Sequence, residues 1–96
     1  MTAETSLRMA ARIVARAERV PVTDVLNARG WPAKRRRHLA TYLAVVGFNQ
    51  PLKRVARAAG VGPYALRGAI GRIEDQRSSP AFDAWLSQLE AETCAA

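Results

Sequence analysis

The side chains of this sequence that could do chemistry are mostly cations, and they are unevenly placed. Fifteen Lys and Arg residues face eight Asp and Glu residues, which gives a formal net charge of +7. No acid occurs from Val25 to Ile73, yet that stretch holds Arg29, Lys34, Arg35, Arg36, Arg37, Lys53, Arg54, Arg57, Arg67 and Arg72. After Arg77 there is no base, and the acids Asp83, Glu90 and Glu92 lie there. This polarity predicts a face that binds phosphates, with a merely solvated basic surface as the alternative.

Residues suited to catalysis or metal binding are few. His38 is the only histidine and lies beside Arg37, so we interpret it as a surface or phosphate-contacting residue. Asp24 and Asp83 have no partner at a catalytic or metal-binding spacing. The single cysteine, Cys94, allows no internal disulfide, and no Cys/His cluster offers a zinc site. We therefore expect an exposed thiol at Cys94, no enzymatic activity, and neither cofactor nor metal.

Length and composition limit the architecture. The 96 residues, 49% of them hydrophobic, predict one globular domain over residues 1–96, without room for a separate catalytic domain. No apolar run approaches the roughly 20 residues of a membrane span. The N-terminal segment alternates Arg with small apolar residues, unlike the apolar block of a signal peptide. We expect a cytoplasmic, nucleoid-associated protein without a membrane partner.

Hydrophobic periodicity predicts an all-α fold, a compact bundle of five to six helices, because no segment keeps a period of two. Helices are predicted at about 6–19, 22–26, 32–47, 51–59, 63–76 and 81–92. Thr5 or Ser6 is expected to cap the first helix, and Asn49 or Gln50 the helix that starts at Pro51. The residues predicted to face the core are Leu7, Ala10, Ile13, Val14, Ala17, Val22, Val25, Leu26, Leu39, Tyr42, Leu43, Val46, Phe82, Trp85, Leu86 and Leu89. Core packing is one use for Phe82, Trp85 and Leu89, and a homodimer interface is the other.

Residues 52–71, LKRVARAAGVGPYALRGAIG, have the pattern of a helix-turn-helix. Gly60 supplies a left-handed residue at the turn. Ala56 is small where the second helix must cross, and Val61 fills the angle between the helices. The positions expected to be buried are Val55 and Ala59 on the first helix and Leu66, Ala69 and Ile70 on the second.

The second helix of such a unit enters the major groove of DNA, and its N-terminal residues reach the base edges. Its outward positions here are Pro63, Tyr64, Ala65, Arg67, Gly68, Gly71 and Arg72. Arg67 is the best candidate to read a base, because a guanidinium can bond guanine in a bidentate way. Tyr64 either contacts DNA or packs over the turn. Gly68 and Gly71 would allow the helix backbone to approach DNA or another helix closely.

A second basic group lies before and within the start of the 32–47 helix, at Arg29, Lys34, Arg35, Arg36 and Arg37. Cations at a helix N-terminus oppose its dipole, which suggests an anionic partner. We expect these residues to hold phosphates or to enter an adjacent minor groove, and we expect Lys53 to be a further DNA-binding residue. The arginines at 8, 12, 16 and 19 form a solvated face or a secondary phosphate contact.

Several segments resemble the C-terminal DNA-binding domain of the bacterial replication initiator DnaA. These are VARAERVPVTDVL (14–26), RRRHLATYLA (35–44), LKRVARAAG (52–60) and RIE (72–74), so the resemblance covers nearly the whole chain. It implies a helix-turn-helix preceded by a basic loop, with Arg29 matching an arginine that enters the minor groove. Arg35 to Arg37 match the Arg-Pro-Arg start of the family's long helix.

The segment at the recognition helix departs from that family. The family signature is Gly-Gly-Arg-Asp-His-Thr-Thr, whereas residues 60–65 read GVGPYA, which is one residue shorter and lacks the Asp, His and Thr residues. The resemblance does not extend to the family's ATPase domain, so we expect no nucleotide chemistry. The resemblance therefore implies a shared scaffold with a different DNA specificity. Small stand-alone proteins similar to this domain activate transcription, including that of phage-like gene-transfer-agent clusters, or modulate replication.

The sequence thus favours a specific double-stranded DNA-binding protein acting as a transcriptional regulator. One alternative is a replication accessory factor. Another is an interaction module that binds RNA polymerase or a second DNA-bound protein. With one small reading unit in each chain, dimerisation or a neighbouring bound protein would help tight binding.

Overall fold

Six helices form the part of the chain that the computed structural model describes, residues 1–27 and 29–95, and no strand occurs there. They are α1 (Ala3–Glu18), α2 (Thr23–Leu26), α3 (Trp31–Tyr42), α4 (Leu52–Ala59), α5 (Pro63–Gln76) and α6 (Pro80–Ala95). Helix α3 continues directly into a π-helical turn, Leu43–Gly47. The predicted all-α bundle of five to six helices is confirmed.

The core lies between α1, α3 and the π-helical turn. Helix α1 packs against α3 and α4, α5 packs against α3 and α4, and α6 packs against the π-helical turn and α1. Val14, Tyr42 and Leu43 are fully enclosed at the centre, together with Leu86 from α6. Burial of such side chains stabilises the bundle by roughly 1.5–3 kcal/mol each relative to exposure.

The cap of α1 differs from the expectation. Thr2 is the N-cap residue, and its Oγ1 accepts a hydrogen bond from the backbone N–H of Thr5 at 3.1 Å. The predicted cap at Thr5 or Ser6 is wrong, because the helix begins a turn earlier. Ser6 is buried, and its Oγ donates to the backbone oxygen of Thr2 at 2.9 Å.

The cap of α4 also differs. Pro51 is the N-cap residue, and no side chain caps this helix. Asn49 has a φ of 56° and the Gln50 N–H donates to the Ala44 oxygen at 3.1 Å, so both residues belong to the connection between the π-helical turn and α4. The prediction that Asn49 or Gln50 caps α4 is therefore wrong.

Three residues predicted to be buried are exposed, namely Ala17, Val22 and Val46. Periodicity gives the angle of a side chain about its helix axis but not whether a neighbouring helix reaches it. Val46 also lies in the π-helical turn, whose extra residue rotates the following side chains away from the 3.6-residue register.

A polar cluster joins the end of α5 to α6. The Arg77 guanidinium donates to Asp83 Oδ1 at 2.6 Å, to Ser87 Oγ at 2.9 Å and to a carboxylate oxygen of Glu90. It also donates to Tyr42 Oη at 3.0 Å, and that hydroxyl donates to Glu74 Oε1 at 3.2 Å. These contacts raise the pKa of Arg77, with Asp83 the largest cause. The cluster therefore ties α6 to the end of α5 and to Tyr42 of α3.

Candidate nucleic-acid interface

Helices α4 and α5 pack against each other around a short turn. Gly60 ends α4 with a φ of 71°, and the N–H of Val61 donates to the Ala56 oxygen at 3.0 Å. The left-handed residue predicted at Gly60 is confirmed. A side chain other than glycine would be strained at this angle.

The buried positions of this unit follow the predicted pattern. Val55 and Ala56 are fully buried on α4, and Leu66 and Ala69 are buried on α5. The remaining three predicted positions, Ala59, Val61 and Ile70, are partly buried and pack against the core. Ile73 extends the buried stripe of α5 by one more turn.

The outer face of α5 is open to solvent at every outward position that the sequence predicted. Those positions are Pro63, Tyr64, Ala65, Arg67, Gly68, Gly71 and Arg72. The Tyr64 side chain is 87% exposed, so the alternative in which its ring packs over the turn is wrong. Arg67 and Arg72 make no ion pair with any described residue.

The two glycines of α5 face open space. A Cβ atom built on Gly68 would meet only Arg72 Nη1, at 3.5 Å, and one built on Gly71 would meet nothing within 4 Å. Neither glycine therefore serves close packing against another helix among the described residues. The surface between Tyr64, Arg67 and Arg72 is formed largely by backbone and small side chains.

Arg35 and Arg36, near the start of α3, form ion pairs with an acid of α1. Arg35 Nη1 lies 2.7 Å from Glu18 Oε1, and Arg36 Nε lies 4.0 Å from the same oxygen. The Arg35 guanidinium also lies 5.9 Å from the ring centroid of Trp85. Glu18 therefore supplies part of the negative charge expected near the start of α3. Because Glu18 lies on α1, outside the acid-free stretch, the sequence did not indicate this pairing.

The remaining cations of α3 lie next to α5. Lys34, Arg37 and His38 line a cleft of about 120 Å³ with Ala59, Val61, Ala65 and other residues at the turn between α4 and α5. Burial lowers the pKa of His38, and the charges of Lys34, Arg72 and Arg37 lower it further. Lys34, Arg37, His38 and Arg72, which we call the His38 cluster, thus bring positive charge from α3 and α5 together.

A second group of cations lies on α4. Lys53, Arg54 and Arg57 are exposed and border a cleft of about 540 Å³ against the start of α1. Only Lys53 was named as a site residue from the sequence. Arg54 and Arg57 belong to the same acid-free stretch of the sequence. The structure adds that both side chains are exposed on α4.

The residues before α3 are also accessible. Arg29 is exposed and precedes Gly30, which has a φ of 97° and forms the N-cap of α3. Trp31 follows at the first helical position and is 70% exposed. Trp31 was not identified as a site residue from the sequence. Its position between Gly30 and Pro32, outside any apolar stripe, could have indicated an exposed side chain.

The described residues include no group of three or more His, Cys, Asp or Glu side chains arranged to hold a metal ion. Cys94 is exposed, as expected. Within the same residues, none of the helices has the length and apolar character needed to span a bilayer.

Comparison with known proteins gives no family for this chain, since no family model, no curated protein and no solved structure matches it.

Proposed function

We propose that this protein binds specific double-stranded DNA sequences as a transcriptional regulator, with α5 in the major groove. The observation that carries the proposal is the open outer face of α5, where Arg67 and Arg72 make no ion pair with a described residue and Arg72 belongs to the His38 cluster. A major groove about 12 Å wide admits one α-helix of this kind.

Base reading is assigned to the N-terminal half of α5. Tyr64 and Arg67 are the long exposed side chains there, and Ala65 and Gly68 beside them leave room for close approach. Arg67 would bond the O6 and N7 atoms of a guanine, and Tyr64 would contact a base, a thymine methyl group or a phosphate. Pro63 starts the helix without an N–H that would need a partner.

Phosphate binding is assigned to the two helices against which α5 packs. Helix α3 contributes Lys34 and Arg37, and helix α4 contributes Lys53, Arg54 and Arg57, with Arg29 in the loop before α3. Arg35 and Arg36 would have to leave or share Glu18 to contact DNA, so we assign them a smaller part. Such contacts release counterions and make the affinity fall steeply with salt.

The resemblance to the C-terminal domain of DnaA supports the same proposal. It implies a scaffold of that kind in which the residues of the recognition helix differ. Because residues 60–65 lack the family's Asp, His and Thr residues, we propose a DNA site other than the DnaA box. Activation of a phage-like or gene-transfer-agent cluster is one form that such regulation would take.

The test is fluorescence anisotropy of the protein with labelled genomic fragments at two salt concentrations. We expect one class of fragments to bind at least tenfold more tightly than the rest, with all affinities falling as salt rises. The double variant Tyr64→Ala/Arg67→Ala should abolish the preference, whereas Arg12→Ala on the exposed side of α1 should retain it. Equal affinity for every fragment would remove the claim of specificity.

The resemblance to a replication initiator also favours a second candidate, an accessory factor that binds origin DNA. Chromatin immunoprecipitation separates the two candidates. Peaks at promoters support regulation of transcription, whereas peaks confined to the replication origin support the accessory factor.

A further inference from the structure

We infer that Trp31 is a DNA-contact residue whose indole lies against a deoxyribose of one strand of the bound duplex. This inference rests on the proposed function and adds to it an apolar contact outside α5. Of the residues assigned above to base reading or phosphate binding, only Tyr64 would make an apolar contact, to a thymine methyl group, and Tyr64 lies on α5.

The exposure of Trp31 distinguishes it from the other tryptophan. Trp31 is 70% exposed, whereas Trp85 is partly buried, 5.9 Å from the ring centroid of Phe82. Trp31 and Tyr64 are the aromatic residues among the exposed large hydrophobics of the described chain, and each lies at the start of a helix at the proposed interface. Exposure of a single apolar residue is common, so the exposure of Trp31 is informative only because of its position.

The position of Trp31 connects it to α5. Trp31 borders a cleft of about 300 Å³ between α3 and α5, which it shares with His38 on α3 and with Arg72 and Gln76 on α5. Arg72 makes no ion pair within residues 1–27 and 29–95. The indole is therefore continuous with the cationic surface that the proposed function assigns to phosphates.

The backbone around Trp31 is held in place. Gly30 adopts a positive φ that other residues rarely take, and its oxygen accepts a hydrogen bond from the Lys34 N–H at 3.0 Å. Pro32 fixes its own φ at the second helical position. The indole has only two side-chain torsions to order, so contact with a ligand costs little conformational entropy.

The chemistry of this edge fits a DNA strand. A strand alternates phosphate anions with the apolar faces of deoxyribose rings. Here the Trp31 ring and Arg72 border one cleft, and the exposed Arg29 lies two residues before Trp31 in the chain. An indole with one cation across its cleft and another two residues away in the chain suits a strand in which sugars alternate with phosphates.

An apolar contact of this kind has a distinctive salt signature. It neutralises no phosphate, so its removal should weaken binding without changing the dependence of log K on log salt. Loss of a phosphate-binding cation should instead reduce that slope by about 1. The two kinds of residue can therefore be separated by affinity measurements alone.

The first experiment measures the affinity of Trp31→Ala, Trp31→Phe and Arg72→Ala for the preferred duplex across a salt series. We expect Trp31→Ala to lose about tenfold in affinity, which corresponds to about 1.4 kcal/mol, at an unchanged slope. Trp31→Phe should regain most of the loss, and Arg72→Ala should reduce the slope. An affinity of Trp31→Ala within twofold of the unsubstituted protein would overturn the inference.

The second experiment observes Trp31 directly. In a Trp85→Phe background, acrylamide quenching of the remaining tryptophan should fall severalfold when the duplex binds, while anisotropy of the labelled duplex reports binding independently. If that background folds poorly, the unsubstituted chain labelled with 5-fluorotryptophan gives the same information from its Trp31 resonance, assigned with Trp31→Phe.

The two readouts distinguish the possible failures. Duplex binding with unchanged Trp31 accessibility would overturn the inference and leave the proposed function intact. Absence of duplex binding would overturn both.

Discussion

Arg67 is the central long side chain on the outer face of α5, because Ala65, Gly68 and Gly71 surround it with small residues. It also makes no ion pair among the described residues, so no internal partner competes with a ligand. These two features concentrate the expected base discrimination in one guanidinium.

We predict that Arg67→Ala lowers affinity for the preferred DNA site by roughly 10- to 100-fold, corresponding to about 1–3 kcal/mol for one bidentate base contact. Arg67→Lys keeps the charge but loses the planar fork, so it should restore non-specific affinity and not discrimination. Competition binding with single-base variants of the site measures both. Full discrimination by Arg67→Lys would contradict bidentate reading by this residue.

His38 gives a prediction that needs no DNA. Burial and the charges of Lys34, Arg72 and Arg37 lower its pKa below the ordinary value of 6.5. The unfolded chain therefore binds a proton at His38 more readily than the folded protein does. The resulting loss of stability is absent well above pH 6.5 and grows as the pH falls below 6.5 towards the lowered pKa.

Urea denaturation at pH 5.5 and 7.5 tests this for the unsubstituted protein and for His38→Gln. The free energy of unfolding should fall more between pH 7.5 and 5.5 in the unsubstituted protein than in the variant. An equal fall in both proteins would mean that the environment of His38 does not favour its neutral form.

At the scale of the helix, α5 combines a well-buried inner stripe with an outer face that contains two glycines. Leu66, Ala69 and Ile73 hold the helix in the bundle. Gly68 and Gly71 lie on the exposed side, where each weakens the helix by about 1 kcal/mol relative to alanine. The space around both is free enough for a methyl group.

Gly68→Ala and Gly71→Ala should each raise the free energy of unfolding by up to about 1 kcal/mol, measured by urea denaturation. Their effects on DNA affinity should differ. Gly68 lies nearer the N-terminal half of α5 that reaches base edges, so a methyl group there should weaken binding more than one at Gly71. A Gly68→Ala variant with greater stability and undiminished affinity would show that the backbone does not approach DNA at this point.

At the scale of the whole molecule, some cations form ion pairs with acids of the same chain and others do not. Within residues 1–27 and 29–95, ion pairs are formed by Arg16, Arg35, Arg36 and Arg77, among others. Arg77 in particular binds Asp83 and Glu90, so much of the acidic charge near α6 is compensated internally. The cations of the proposed interface that make no ion pair with a described residue include Lys34, Lys53, Arg54, Arg57, Arg67 and Arg72.

Removal of the Arg77 cluster should destabilise the bundle. We predict that Arg77→Ala costs roughly 2 kcal/mol, since hydrogen bonds to charged groups contribute about 1.5–3 kcal/mol and Tyr42 and Glu90 would lose a donor. Arg16→Ala should change stability by less than about 1 kcal/mol, because the Arg16–Glu92 pair is exposed. Thermal and urea unfolding of both variants would check the difference, and equal effects would argue against the structural part assigned to Arg77.

The sequence by itself determined the helical class, the approximate helix bounds and the pattern of the α4–α5 unit. Periodicity, Gly60 at its turn and the prolines near the helix starts act within a few residues, so they can be interpreted without knowledge of distant neighbours. The same local information identified Tyr64 and Arg67 as outward residues.

Tertiary structure alone decided which cations are accessible and which residues adjoin α5. Glu18 reaches Arg35 from 17 positions away, and Arg72 joins Lys34 around His38 from a different helix. The exposure of Trp31 and Val46 likewise depends on whether another helix covers them. Such contacts arise from the packing of distant segments, for which hydrophobic spacing along the chain contains no distance information.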